Sequence, residues 1–383
     1  MKRVLFVTNG HGEQAIAARI AKELGAIGGV AIDHLSLVGD DVATTELLRP
    51  VGPRRRMPSG GLVAMGNVRN LLRDVRAGLI AHTIAQLRFL RSQKCRYDLA
   101  LAVGDTFAYV MARRARARKT AFVGTAKSVY VARYGPAEVR ILRSADAVFV
   151  RDGATAEDLA KRGADASAPG NVIVDLFDDD TRPNGALQGR TLAIFPGSRE
   201  SAYDDAAFAC AIVGQLLAKM PDIEASLSIA PGLDALRFAQ VFRADGWDVS
   251  GPEDSSIPFV LRADGRRVIT AWSGSPAAML RSAQIVLGQA GTVNEAAAAR
   301  GIPVVAFERR ARSTQWYRRR QSGLLNGALV VLHGSAQSVA TELAALFFDE
   351  RRRDAMAAIG RRRMGPPGGA RAIAMRLSEL LQC

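Results

Sequence analysis

The chain has 383 residues and 48% of them are hydrophobic, so it is long enough for two domains with apolar cores and too apolar for a largely disordered protein. Its formal net charge is +15, with 45 arginines among the 52 basic residues, which favours a phosphate-bearing partner or reflects genomic base composition. Cys95, Cys210 and Cys383 share no metal-like spacing, and no window approaches 18 apolar residues, which argues against a zinc site, a disulfide framework and a membrane-spanning helix.

The first half of the chain alternates short apolar runs with helical segments. Apolar strands without polar alternation, separated by helices, are typical of a parallel sheet that is covered on both faces. The predicted strands are 4–7, 31–37, 99–103, 120–123 and 147–150.

The turn after the first strand, "TNGHGEQAIA" at 8–17, holds the first candidate catalytic residue. His11 lies between two glycines at the carboxyl end of a strand, which is where catalytic groups of such sheets are found. A single histidine is often structural, and both interpretations stay open here. Glu13 is expected to cap the first helix.

Residues 67–91 have apolar side chains at helical spacing and arginines between them. One interpretation is a helix that packs through its apolar face and exposes a basic one. The other is a basic amphipathic surface that contacts an anionic membrane, together with the "PRRRMPSGGLVAMG" lead-in, so that 53–91 forms a peripheral membrane contact.

Asp105 follows the strand in "LALAVGDTFA". If this is strand four of a sheet ordered 3-2-1-4-5, it lies beside strand one, and Asp105 shares a crevice with His11. Asp105 is then a candidate general base or a residue that orients the imidazole. It is equally a candidate N-cap of the following helix.

The alternation stops at 168–190, where Pro, Gly, Asn and Asp accumulate. We therefore predict an N-terminal domain (1–170), a linker (171–190), a C-terminal domain (191–364) and a C-terminal helix that docks back on the protein (365–383). The acidic run at 178–180 suggests a metal site, but without a strand context it is assigned to solvated linker, and no metal ligand is predicted.

The second half repeats the α/β pattern. Two doubly wound sheets joined by a linker are expected to face each other across a central cleft that binds ligands. The predicted strands are 192–195, 225–229, 268–271, 285–287, 304–307 and 328–332.

The turn "GQAGTVNEA" at 288–296 opens a helix directly after a predicted strand. Gly288 and Gly291 allow a ligand to approach the backbone, with Gln289 between them. The N–H groups of Gly291, Thr292 and Val293 then form an anion pocket at the helix N-terminus. Glu295, one turn further on, is placed to accept hydrogen bonds from ribose hydroxyls.

A second turn of the same kind, "FPGSRES" at 195–201, lies in the same half. Gly197 and Ser198 form the turn, and Arg199 offers a planar pair of donors that suits a phosphate. Two anion turns in one domain predict a site for a nucleotide diphosphate.

These motifs resemble a known family. "FPGSRES", "VLGQAGTVNEAAAARGIPVVAF" and "LLNGALVVL" resemble the C-terminal domain of lipid-A-disaccharide synthase and its relatives, which are glycosyltransferases of the GT-B fold. "GNVIVD" at 170–175 resembles their linker motif, with Val172 in place of proline. "NGHGEQ" resembles the lipid-A-disaccharide-synthase-related proteins more than the synthase itself, which has a different acidic motif there.

The resemblance implies a two-domain GT-B fold, with UDP-sugar bound by the C-terminal half and acceptor by the N-terminal half. Arg199 and the 291–293 amides then hold the diphosphate, Glu295 the ribose, and Gln315 lies near the donor sugar. His11 or Asp105 is the implied base.

The sequence thus predicts an inverting, metal-independent glycosyltransferase that moves a sugar from a UDP-sugar to a lipid or glycolipid acceptor. We expect it at the cytoplasmic face of the membrane, without a cofactor and without nucleic acid, and as a possible homodimer. The alternatives are a sugar-nucleotide 2-epimerase of the same fold and a non-catalytic nucleotide- or lipid-binding relative.

Overall fold

The computed structural model describes residues 1–38, 47–55, 75–177, 190–308 and 312–382, with side chains except at His11 and 312–318. It divides into two compact units, Met1–Leu176 together with Gly365–Cys383, and Phe177–Met364. Within the described residues, no helix is both long and apolar enough to cross a membrane.

The first unit is a seven-stranded parallel sheet with the order β3-β2-β1-β4-β5-β6-β7. The strands are β1 (Lys2–Thr8), β2 (Val30–Ser36), β3 (Leu48–Pro50), β4 (Leu99–Gly104), β5 (Lys119–Gly124), β6 (Ala147–Val150) and β7 (Ala166–Ser167). The helices are α1 (His11–Ile27), α2 (Leu79–Ser92), α3 (Thr106–Ala112), α4 (Pro136–Leu142), α5 (Gly153–Lys161) and α6 (Val172–Asp175).

Strand β1 shows why this sheet forms from an unbroken apolar run. Leu5 and Val7 enter the core on one face of the sheet. Val4 and Phe6 enter the core on the other face. Because successive side chains of a strand point to opposite faces, a strand that is covered by helices on both sides needs apolar residues at every position. The five strands predicted in this half are all present.

The second unit is an eight-stranded sheet with the order β10-β11-β12-β9-β8-β13-β14-β15. Its strands are β8 (Arg190–Phe195), β9 (Ile223–Ser228), β10 (Asp248–Ser250), β11 (Val260–Ala263), β12 (Arg266–Trp272), β13 (Ile285–Gly288), β14 (Val304–Glu308) and β15 (Leu329–His333). Its helices are α7 (Ala202–Leu217), α8 (Ala235–Ala244), α9 (Pro276–Ser282), α10 (Gly291–Ala299), α11 (Arg312–Leu325), α12 (Ala336–Phe348) and α13 (Glu350–Met364).

The expectation of a wholly parallel second sheet is wrong at one edge. β10, β11 and β12 pair antiparallel, whereas β12 pairs parallel with β9. β11 and β12 are joined by Asp264 and Gly265, which both have positive φ. An Asp-Gly pair in this conformation is the usual two-residue hairpin turn. The sequence "RADGRR" therefore indicates a hairpin, which the pattern of apolar runs alone did not predict.

The helix predicted at 67–91 is described only from residue 75 onward, and α2 begins at Leu79. Its buried residues are His82, Gln86 and Leu90, whereas Ile80 and Ile84 are 60% and 43% exposed. The expected apolar inner face is therefore wrong for these two isoleucines. The inner face is only partly apolar: Leu90 lies in the core, whereas Gln86 covers the open end of β2, where its Nε2 donates to the carbonyls of Ser36 and Leu37 at 3.1 and 3.2 Å.

The chain returns to the first unit at its C-terminus through α14 (Gly369–Gln382). Residues 172–175, which the sequence places in the linker, form α6 instead and receive this helix. The two carboxylate oxygens of the buried Asp175 accept hydrogen bonds from the N–H groups of Gly368 and Ala370, at 2.6 and 2.7 Å. The "GNVIVD" motif therefore caps the N-terminus of α14.

Candidate functional site

In the second unit the two glycine turns lie side by side. β8 and β13 are parallel neighbours, with Phe195 opposite Gly288. The N–H of Gln289 also donates to the carbonyl of Phe195 at 2.8 Å. Because parallel strands end at the same edge of a sheet, the turn at 196–199 and the turn at 289–291 both lie at that edge.

The N-terminus of α10 is open to a ligand. Gly291 is its first residue, and the N-cap, Ala290, makes no side-chain cap within the described structure. The N–H groups of Gly291, Thr292 and Val293 precede the first hydrogen bond of the helix, which Asn294 N makes to the Ala290 carbonyl at 3.1 Å. Among the described residues these three N–H groups have no partner, and together with the helix dipole they create a positive potential that attracts anions.

The neighbouring turn adds a cation. Gly197 has a φ of 112°, a backbone conformation that residues other than glycine rarely adopt. Ser198 and Arg199 are exposed on this turn. Glu295 is half-buried in the first part of α10. The side chain of Gln315 lies outside the described residues.

Gly288 is required because of a close approach that the sequence alone does not reveal. Asn294 is 0% exposed, and its Nδ2 donates to the Gly288 carbonyl at 3.1 Å and to Gln321 Oε1 at 3.3 Å. A Cβ at residue 288 would lie 1.8 Å from Asn294 Oδ1. The buried amide thus fixes the turn between β13 and α10.

In the first unit β1 and β4 are parallel neighbours, with Thr8 opposite Val103, as the proposed strand order predicts. Asp105 has two partners there. Its Oδ1 accepts from the N–H of Ala108 at 3.0 Å, which makes it the N-cap of α3. Its Oδ2 accepts from Asn9 Nδ2 at 2.9 Å. The cap and the candidate base are therefore the same carboxylate.

His11 begins α1, two residues after Asn9, so its backbone lies at the same edge of the sheet as Asp105. Its side chain lies outside the described part of the chain. His34 is buried at the end of β2, with Nε2 2.9 Å from Thr8 Oγ1. Burial lowers the pKa of His34 to about 4, so this imidazole is neutral near pH 7 and braces the residue before Asn9.

Two further carboxylates lie at this edge, although the sequence motifs indicate no catalytic role for either of them. Glu13 Oε1 accepts from Thr125 Oγ1 at 3.2 Å. Glu138 accepts from Lys127 Nζ at 2.6 Å and from Thr106 Oγ1 at 3.1 Å. Burial alone would raise the pKa of Glu138, but its hydrogen bonds outweigh burial and the pKa lies below the usual value, so the group stays ionised.

Metal ligands are not grouped in the described structure, since no cluster of three His, Cys, Asp or Glu side chains occurs there. The acidic run at 178–180 lies outside the described residues.

The sequence matches no family model and no curated protein. Solved structures do match over the whole chain. The calicheamicin glycosyltransferase CalG4 is 15% identical, with a TM-score of 0.61 over 100% of this chain and 98% of that one. MurG of Acinetobacter baumannii is 14% identical, with a TM-score of 0.54 over 99% and 100%.

A UDP-GlcNAc 2-epimerase from Neisseria meningitidis, solved with UDP-GlcNAc bound, is 11% identical, with a TM-score of 0.57 over 98% of this chain and 100% of that one. Identities this low establish the fold alone. The chain has the GT-B fold, with two Rossmann-like α/β units, as the sequence predicts.

We predict that Gly288→Ala destabilises the second unit by about 2 kcal/mol, because the new methyl group displaces Asn294 from a packed site. The free energy of unfolding in urea measures this. Asn294→Ala in the same chain should recover part of the loss, since it removes the atom that the methyl group meets.

The control is Gly214→Ala in α7, where a Cβ meets only Trp247 at 3.7 Å. This change is expected to be neutral or stabilising, because alanine favours a helix interior. Equal effects of the two substitutions would contradict the close approach at Gly288.

Proposed function

We propose that the second unit binds the diphosphate of a UDP-sugar between the Arg199 turn and the N-terminus of α10. The observation that carries this proposal is the parallel pairing of Phe195 with Gly288, which brings a cation and three free N–H groups to one edge. A diphosphate offers only acceptors and negative charge, and such a site offers only donors and positive charge.

The reaction that fits best is transfer of the sugar, with inversion, to an acceptor hydroxyl. Asp105 or His11 in the first unit takes the proton of the hydroxyl as it attacks the anomeric carbon. Arg199 and the amides at 291–293 stabilise the charge that develops on the departing UDP, so that no metal is needed. Transfer should therefore persist in excess EDTA.

The acceptor is an amphiphilic lipid or glycolipid at an anionic membrane surface. The resemblance to lipid-A-disaccharide-synthase relatives suggests this class of acceptor, and the surface of α2 supports it. Arg88 and Arg91 flank the exposed Ile80 and Ile84 on the outer side of this helix. The turn at 113–116 lies beside its end, because Cys95 N donates to the Ala115 carbonyl at 3.0 Å.

This surface carries a positive charge that nearby carboxylates do not balance. Within the described structure, none of its cations takes part in an ion pair. They are Arg88, Arg91, Lys94, Arg96, Arg113, Arg114 and Arg116, all exposed. Apolar side chains that insert and cations that meet lipid phosphates are the two components of interfacial binding.

The second candidate function is a sugar-nucleotide 2-epimerase. Such a reaction needs several acid and base groups around one sugar, and Glu13, Asp105 and Glu138 supply three carboxylates at one edge of the first sheet. Incubation with UDP-sugar alone separates the two reactions. An epimerase releases a C2-inverted UDP-sugar without any acceptor, whereas a transferase does not.

We predict that Glu295→Ala weakens UDP binding roughly tenfold, because it removes one or two hydrogen bonds to the ribose, each worth about 1 kcal/mol. Isothermal titration calorimetry with UDP measures the change. Glu342→Ala, at an exposed position in the same unit, is the control and should leave the affinity unchanged. An unaltered UDP affinity in the Glu295 variant would rule out the ribose contact.

A second prediction separates the cap from the base. Asp105→Asn keeps the capping oxygen, and its new amide nitrogen can donate to Asn9 once the Asn9 amide turns its oxygen toward it, so both hydrogen bonds and the melting temperature should hold. If Asp105 is the base, turnover falls by about a hundredfold or more while UDP affinity stays constant. His11→Gln is measured in parallel. Full turnover in both variants would show that neither residue is the base. A wild-type protein that binds UDP but transfers no sugar would be the non-catalytic relative.

We also predict that Arg88→Ala with Arg91→Ala reduces binding to phosphatidylglycerol-containing vesicles roughly thirtyfold, since each arginine contributes about 1 kcal/mol at an anionic surface. Co-sedimentation with vesicles measures this. Ile80→Ser with Ile84→Ser should also release the protein. Leu236→Ser, at a leucine of the second unit that is 72% exposed, is the matched control. If the wild-type protein bound neutral phosphatidylcholine vesicles as well as those that contain phosphatidylglycerol, the arginines would not contribute through attraction to anionic lipid.

A further inference from the structure

The turn that carries Arg199 also carries an acidic residue, and a cation from another helix neutralises it. Glu200 follows Arg199 directly, and its side chain is 75% exposed. A free carboxylate beside a diphosphate site would repel the ligand and compete with it for Arg199. The structure gives this carboxylate a different partner, because Glu200 Oε1 lies 2.5 Å from Nη2 of Arg237 in α8.

Arg237 is held in place although it lies at the surface. Its guanidinium lies over the ring of Tyr203, with Cζ 3.9 Å from the ring centroid. Tyr203 is 5% exposed and packs against Phe238, with the ring centroids 4.5 Å apart. The Tyr203 hydroxyl accepts from the N–H of Asp234, the N-cap of α8, at 2.9 Å. An arginine that is stacked on a fixed ring loses less side-chain entropy when it pairs with Glu200 than a free surface arginine does.

The ion pair is also the side-chain link between this turn and the rest of the unit. Among the described residues, the side chains at 196–201 make no other hydrogen bond or ion pair, so the Arg199 guanidinium is unpaired there. Ser201, the N-cap of α7, makes no side-chain cap. The turn is otherwise closed by its backbone, where the N–H of Ala202 donates to the Arg199 carbonyl at 2.8 Å.

We propose that Arg237 is a positioning residue of the diphosphate site and that it acts through Glu200. It neutralises the carboxylate and fixes the turn, and both effects leave Arg199 available to the diphosphate. This rests on the proposed binding of a UDP-sugar. The charge of Arg237 is matched by Glu200, so Arg237 supports the site without touching the ligand. Its contribution therefore depends on the negative charge of Glu200, which a direct contact with the diphosphate would not.

The test is isothermal titration calorimetry of the full chain with UDP. Arg237→Gln leaves Glu200 uncompensated, and the repulsion should weaken UDP binding about fivefold. Uridine has no phosphate and should bind equally to the wild-type protein and the variant. Raising the salt from about 50 to about 500 mM should shrink the difference in UDP affinity, because salt screens exposed charges.

Two further variants test the route through Glu200. Glu200→Gln combined with Arg237→Gln removes both charges, and UDP affinity should return to within about twofold of the wild-type value. Arg237→Lys keeps the positive charge but loses the planar stack, so it should retain most of the affinity.

The matched control is Arg267→Gln. Arg267 is also paired with a glutamate, Glu253, and its side chain is 45% exposed, against 48% for Arg237. It lies near the start of β12, which runs parallel to β9, so it is at the opposite edge of the sheet from the glycine turns. This change should leave UDP affinity unaltered. Thermal melts establish that each variant is folded.

The outcomes that overturn the inference are distinct. If the double variant binds UDP as weakly as Arg237→Gln, then Arg237 touches the diphosphate or acts by packing, and the role through Glu200 is wrong. If Arg237→Gln weakens uridine as much as UDP, the change distorts the whole site and the inference is also wrong. An unchanged UDP affinity in Arg237→Gln would refute this inference alone, whereas a wild-type protein with no affinity for UDP would refute the proposed function itself.

Discussion

The candidate donor site depends on the parallel pairing of β8 with β13. These strands are far apart in the sequence, and each is followed by a glycine turn. Because both strands run in the same direction, both turns leave the sheet at one edge, and the hydrogen bond from Gln289 N to Phe195 O ties them together. Neither turn alone is specific for an anion. Their juxtaposition brings the turn that carries Arg199 and the N-terminus of α10 to one edge of the sheet.

The same constraint acts on the first unit, with the opposite chemical result. β1 and β4 are neighbours, and the residues after them, Asn9 and Asp105, are hydrogen-bonded. The side chains described at this edge include Glu13 and Glu138 as well, so it is rich in acceptors. One unit therefore presents N–H donors and an arginine at this edge, and the other presents carboxylates. This division accords with the proposed function, in which one substrate is an anion and the other is an alcohol.

The central strands could be predicted from the sequence because burial on both faces leaves an unbroken apolar run. β3, β7 and β10 have at most three residues each, so their patterns are too short to recognise. The helix α2 was predicted, but the inward position of Ile80 and Ile84 was wrong for another reason. The spacing of apolar residues cannot reveal that a helix packs over backbone carbonyls. Here the carbonyls need a donor, so Gln86 is on the buried side of the helix and Ile80 is on the exposed side. The site turns were predictable because glycine marks them locally.

Asn294 shows what remained beyond sequence reasoning and why it matters for the site. In an alanine-rich helix an asparagine suggests a surface position, yet this residue is completely buried and joins the Gly288 carbonyl to Gln321. The interaction links three segments that no periodic pattern connects. Its consequence is rigidity at the start of α10. Donors that are already fixed need no reorganisation when charge develops on a leaving group, and this is the condition under which amides can replace a metal ion.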